Sequence, residues 1–217
     1  MPDASATRLT HTIAICTARD PSPLAVTLPQ LFRSPSGATK TDLLVVDNRP
    51  ASDPADLRTQ IAALCTAEHI HFSVVHEPAS GLSRARNLAL RAAEGDILTF
   101  LDDDTAPRDG RWQSSILESF GMNPQVAIVG GPIHILLPAS VNRTPPWRSL
   151  RVEQLFGCFG RNVADGFCPA NYVTGGNASY RLAAVRSVPG LRFASGLLWS
   201  ASRRSSLGGE EACSTGV

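Results

Sequence analysis

Four short runs rich in aliphatic and β-branched residues, 12–18 (TIAICTA), 42–48 (DLLVVDN), 71–76 (HFSVVH) and 96–101 (DILTFL), are each followed by a stretch long enough to return the chain to its starting edge. That alternation narrows the fold sharply. Parallel neighbours need a crossover of a dozen or more residues, usually a helix, so the pattern predicts an α/β fold with a mostly parallel central sheet flanked by helices. The unbroken LLVV suits a strand covered on both faces. Residues 53–68 open on Asp53 as an N-cap candidate with Pro54 in the first turn, and set Leu57, Ile61, Leu64 and Cys65 on one face. A second helix starts near Ser80 and carries Leu82, Ala85, Ala89 and Ala92 at helical spacing before Gly95 as a stop signal. Residues 109–120 give a third helix, and the apolar VAIVGGPIHILL after it predicts a central strand and its continuation.

With 217 residues, 43% hydrophobic and 18% charged, the chain can bury roughly 70% of its unfolded surface in one core. From residue 138 the pattern changes: Pro145, Pro146 and Trp147 interrupt any long helix, and 199–217 has no apolar stripe. This divides the chain into an α/β half, 1–137, and a second segment of the same domain, 138–217, loop-rich over 138–170 and incomplete at its C-terminus. A net charge of +1, from 20 basic and 19 acidic side chains, excludes a dedicated nucleic-acid binder. Five scattered cysteines without a CxxC pair predict a reduced chain with no structural zinc. No run approaches signal or membrane-span length, so a cytoplasmic protein without a transmembrane segment is expected, and the sequons at Asn142 and Asn177 carry no meaning there.

The chemistry concentrates in 99–105, TFLDDDT, where an apolar strand runs straight into three carboxylates. Extended-chain alternation would put Asp102 and Asp104 on one side and point Asp103 away. In an open α/β sheet, ligands bind outside the carboxyl ends of the strands. Two carboxylates there repel unless a cation lies between them, and Mg²⁺ or Mn²⁺ held by one or two carboxylates plus phosphate oxygens fits better than a calcium cage. A bare acidic triplet is equally a solvated turn. Its company shifts the balance: Thr17 and Arg19 close the first strand, Asp47 closes the second, and EPASGLSRARN sets Arg84, Arg86 and Asn87 around a helix N-terminus suited to phosphate. Further on, VTGGNASYR places Gly175 and Gly176 before Asn177, and LGGEE presents Glu210 and Glu211.

In this order TIAICTARD, LLVVDN, HEPASGLSRARNLALRAAEGDILTFLDDDT, VGGPI, VTGGNASYR and LGGEE resemble the motif series of family 2 glycosyltransferases of the GT-A fold. The resemblance implies transfer of a sugar from a UDP- or GDP-sugar donor to an acceptor hydroxyl, on a saccharide, a lipid-linked or another acceptor, with inversion and a divalent metal. It implies that Thr17, Arg19, Asp47, Arg86, Asp102 and Asp103 line the nucleotide pocket, with Asp47 facing the base and Asp102 the ribose. Asp104, with Asp102, would hold the metal of a DxD motif. Glu211, paired with Glu210, would be the base that takes the acceptor proton, while Gly176, Asn177 and Trp147 would shape the sugar and acceptor pocket. A lipid-linked acceptor would add peripheral attachment at the inner face of the membrane. The family's acidic pair is commonly Glu-Asp followed by an amphipathic helix, whereas EEACSTGV ends six residues beyond Glu211. The alternative expectation is therefore an inactive, truncated remnant that only binds nucleoside diphosphate. A nucleotidyltransferase would need a glycine-rich loop after the first strand, which TARDPSPLAV lacks. A two-carboxylate glycosidase would not need the nucleotide-like edge contributed by three other strands.

Overall fold

Alternate residues of the apolar runs supply two different cores, one on each face of a sheet. The structure is a computed structural model, and it describes residues 9–19, 22–31, 41–51, 53–65, 71–107, 109–131, 133, 173 and 175–194. In chain order these form β1 (His11–Thr17), α1 (Ser22–Leu31), β2 (Thr41–Asp47), α2 (Pro54–Cys65), β3 (His71–His76), α3 (Leu82–Ala92), β4 (Ile97–Asp102), α4 (Trp112–Met122), β5 (Ile128–Gly130), β6 (Asn177–Arg181) and α5 (Leu182–Arg186). The sheet order is β3-β2-β1-β4-β6-β5, with β1 to β4 mutually parallel and β6 antiparallel to both of its neighbours.

On one face Ile13, Ile15, Leu43, Val45 and Leu101 pack against Leu24, Leu28 and Leu31 of α1 and Leu57, Ile61 and Cys65 of α2. On the other, Ala14, Leu44, Val46, Leu98 and Phe100 meet Ala85 and Ala89 of α3 and Leu182 of α5. The small residues of α3 let its backbone approach the sheet closely. At about 25 cal/mol per Å² of buried apolar surface, these two layers supply the main favourable contribution to folding. Arg186 of α5 donates to the carbonyls of Leu90 and Ala93, satisfying the acceptors left at the end of α3.

Two elements depart from the sequence pattern. Helix α1 is not anticipated; yet Leu24, Leu28 and Leu31 are buried at helical spacing, and the helix accommodates Pro29 at the cost of one i→i−4 hydrogen bond. The strand expected in VAIVGGPIHILL is not central. Ile128–Gly130 is a three-residue edge strand with Ile128 exposed, and β6, in a segment read only as a glycine turn, takes the interior place beside β4. Arg181 secures this arrangement by donating to the carbonyls of Phe120 and Val126 while its guanidinium lies 5.2 Å from the centre of the Phe120 ring. Most of 138–217, including the expected loop-rich part, lies outside the described residues.

Beneath α4, at the sheet end opposite the carboxyl edge of the parallel strands, His11 is fully buried. Its Nε2 lies 2.7 Å from Thr99 Oγ1, which is 2.8 Å from Ser179 Oγ, and Gln113 Nε2 lies 3.1 Å from its Nδ1. Because an amide NH₂ can only donate, Nδ1 is the acceptor and Nε2–H the donor, so the ring is neutral. Burial pushes its pKa from 6.5 down to about 3. Unfolded chains therefore bind this proton at a higher pH than folded ones. The contribution is complete above pH 6.5 and is lost as pH falls toward 3, at about 1.4 kcal/mol per pH unit. Urea unfolding of wild type and His11→Gln between pH 7 and 4 checks this: the wild type should lose stability more steeply, and parallel curves would remove the assignment.

Candidate functional site

Strand register brings the expected residues to one edge. Thr17 pairs with Asp47, Asp47 with His76, and Cys16 with Asp102, all at the carboxyl ends of parallel strands. Because β6 runs the other way, its first residue, Asn177, pairs with Leu101 at the same edge, and Gly175 and Gly176 precede it there. Gly131 also reaches this edge, its N–H donating to the Asn177 carbonyl at 3.2 Å.

The acidic triplet does not continue the strand. A 3.1 Å bond from Thr105 N to the Asp102 carbonyl closes a turn over 102–105, so strand alternation stops at Asp102. Asp103 is the buried member, not one turned away from the fold: its Oδ2 accepts from Thr17 Oγ1 at 2.8 Å, its Oδ1 from Arg19 at 3.1 Å, and its backbone carbonyl from Thr27 Oγ1 at 2.9 Å. Asp102 and Asp104 are left with side chains 46% and 63% exposed, and Arg19 also reaches Asp104 at 3.5 Å. Burial holds the Asp102 carboxyl above the usual carboxylate range, and Asp104 and Asp103 push the same way, while Arg86 and Arg19 oppose them. No group of three or more His, Cys, Asp or Glu able to hold a metal occurs among the described residues.

Arg86 does not point out of α3 into solvent. Its guanidinium, with a side chain only 15% exposed, donates to the Gly175 carbonyl at 3.0 Å and to Asp102 Oδ1 at 3.3 Å. It lies 5.6 Å from the Phe100 ring centre and 5.8 Å from that of Phe193, contacts worth about 2 kcal/mol each where desolvated. Arg84, two residues earlier, is the exposed one. The glycines explain the close approach of the β6 turn: a Cβ at Gly175 would fall 2.6 Å from Arg86 Nη1, and one at Gly176 would fall 2.5 Å from Asp102 Oδ2.

Asp47 is fully buried, and Arg49 engages both of its oxygens at 2.8 Å. The Arg49 carbonyl in turn lies 2.9 Å from His76 Nε2. Cys16 is no nucleophile, since burial pushes its thiol up to about 12. Trp147, Glu210 and Glu211 lie outside the described residues.

Three contributors escape a reading of the sequence. Asn48 donates from Nδ2 to the Glu77 and Ala79 carbonyls and accepts from Gly81 N at 2.9 Å, so one side chain shapes the loop leading to α3. Gly81 there has φ of +138°, a conformation that L side chains rarely adopt. Thr27 sits on the unanticipated α1; the Leu24, Leu28, Leu31 spacing was the available signal. Phe193 carries no local signal, because Asn87, Arg86 and Phe100, which it meets, are about a hundred residues away.

Comparison with known proteins agrees with this geometry. The family model described as Glycosyl transferase family 2 matches residues 12–188. The succinoglycan biosynthesis protein ExoM of Rhizobium meliloti (strain 1021) is 34% identical over 120 residues, covering 54% of this chain and 37% of that protein. Among solved structures, the mannosyltransferase PcManGT from Pyrobaculum calidifontis, in complex with GDP-Man and Mn²⁺, superposes with a TM-score of 0.59 at 17% identity, over 84% of this chain and 47% of that one. S. aureus TarS 1–349 in complex with UDP-GlcNAc gives 0.54 at 15% identity, over 82% of this chain and 47% of that one. The chain thus spans about half the length of these structures and little more than a third of ExoM. Its sheet order, flanking helices and matched segment make it a GT-A-fold member of glycosyl transferase family 2.

Proposed function

We propose that this edge binds the nucleoside diphosphate of a sugar donor, UDP- or GDP-linked, together with Mg²⁺ or Mn²⁺, for inverting transfer of the sugar to an acceptor hydroxyl. The observation that carries the reading is the partition of the acidic turn. Asp103 is spent on the fold, whereas Asp102 and Asp104 remain accessible and in mutual repulsion beside a backbone cradle without side chains. The donor set fits a hard divalent cation whose coordination is completed by diphosphate oxygens. PcManGT, with GDP-Man and Mn²⁺, supplies the analogy.

In this reading Asp104, with Asp102, holds the cation, which supplies Lewis-acid stabilisation of the leaving diphosphate. Arg19 and the N-terminus of α3 add positive potential at the same edge. Thr17 and Asp103 fix the turn, and Asp47, held by Arg49, lies where the nucleotide base would be read. Gly176 and Asn177 border the sugar. Glu211, with Glu210, is the proposed base for the acceptor proton, and Trp147 a stacking face for an acceptor that is a saccharide, lipid-linked or otherwise hydroxylated.

Calorimetric titration of UDP and of GDP, with and without Mn²⁺, tests the reading. One nucleotide should bind in a Mn²⁺-dependent manner, and Asp104→Ala should weaken that binding at least about tenfold, or about 1.4 kcal/mol. Failure of a folded wild-type chain to bind either nucleotide overturns it. Gly176→Ala sets a Cβ against Asp102 Oδ2 and must displace one of them. It should weaken metal-dependent binding about tenfold or more; unchanged binding would show that the close approach is dispensable.

A further inference from the structure

Asn87, on the same helix as Arg86, grips a backbone far along the chain. Its Nδ2 donates to the Phe193 carbonyl at 2.9 Å and its Oδ1 accepts from Phe193 N at 2.8 Å, across 106 residues. The ring so placed lies edge-on to Phe100 at 5.6 Å and to Tyr180 at 6.1 Å, and over the Arg86 guanidinium at 5.8 Å. Phe100 provides a second ring at 5.6 Å. A guanidinium fixed by two rings keeps its fork aimed at the atoms in its plane, here Asp102 Oδ1 and the Gly175 carbonyl.

We propose that Asn87 and Phe193 are positioning residues for the acidic edge: the two-point amide clamp seats the Phe193 ring, and that ring with Phe100 holds Arg86 on Asp102 and on the turn before β6. Neither residue needs to touch a ligand. Their influence runs through Arg86, which ties β4 to the glycine turn that borders the edge. The consequence for donor binding rests on the function proposed above; the positioning of Arg86 itself does not.

Two measurements separate these parts. In the free protein, the Arg86 Nε–Hε resonance senses the ring contacts, and Asn87→Ala, which leaves both rings in the sequence, should move it clearly toward its random-coil position. An unmoved resonance in a folded variant overturns the proposal. In Mn²⁺-dependent nucleotide titration, Asn87→Ala and Phe193→Leu should weaken binding about fivefold to tenfold. Phe193→Tyr, which keeps the ring, should stay within about twofold of wild type. In an Arg86→Gln background, Phe193→Leu should cause little additional loss, because the group it acts through is gone. An equal loss in both backgrounds would mean Phe193 only stabilises the fold and would overturn the proposal. If wild type binds neither nucleotide while the resonance moves as expected, the donor reading fails and the clamp stands.

Discussion

Burying one carboxylate at the end of β4 makes the rest of the edge possible. Asp103 sits among donors from β1, from Arg19 two residues beyond it and, through its backbone, from α1, so the turn over 102–105 is held from three directions. An unpaired carboxylate in that position would be strongly unfavourable; with Thr17 and Arg19 donating, it becomes an anchor. The anchor decides the outlook of its neighbours. With Asp103 turned inward, Asp102 and Asp104 face the open edge, where Arg86 and Arg19 offset their repulsion only in part. Helix α1, easily dismissed for its prolines, contributes Thr27 to this arrangement as well as three core leucines.

A second dependence runs through Arg86. The turn before β6 comes within contact distance of β4, where a Cβ at 175 would crowd the Arg86 guanidinium and one at 176 the Asp102 carboxylate. Arg86 then bridges the two strands' ends, one hydrogen bond to a carboxylate and one to a carbonyl. The antiparallel β6 is thereby part of the same construction as the parallel strands, although more than 70 residues of chain separate it from them.

The parallel half was legible because it is written in local pattern. Strands β1 to β4 and helices α2 to α4 follow from apolar spacing and cap residues, with ends displaced by at most about three residues, and the convergence of Thr17, Asp47 and Asp102 follows from parallel order alone. What the pattern lacked was information held in distant pairings. The place of β5 at the edge and of β6 inside it depends on a crossover, not on the hydrophobicity of IVG or NASYR. The inward turn of Asp103 depends on a hydroxyl 86 residues away, and strand alternation misassigned it because the strand had already ended. Arg86 was singled out correctly as belonging to the edge, but its engagement by Phe193 and Gly175 could not be read from SRARN.

These pairings also explain why the edge resists description as a set of independent ligands. Asp102 is raised by burial and by two neighbouring carboxylates and lowered by Arg86, so its charge state belongs to the cluster. Such an arrangement contributes little to stability by itself, since bringing like charges together opposes folding. Structure that folding alone would disfavour is retained where it serves binding, and here the accessible carboxylates lie beside glycine backbone, each with one arginine in reach, Arg86 for Asp102 and Arg19 for Asp104. A cation bridged to an anionic ligand would relieve the repulsion without reorganising the turn, because Asp103, Thr17 and Thr27 already hold it. In the function proposed above, the fold arranges the unfavourable charges in advance, and a diphosphate with its metal would complete the set.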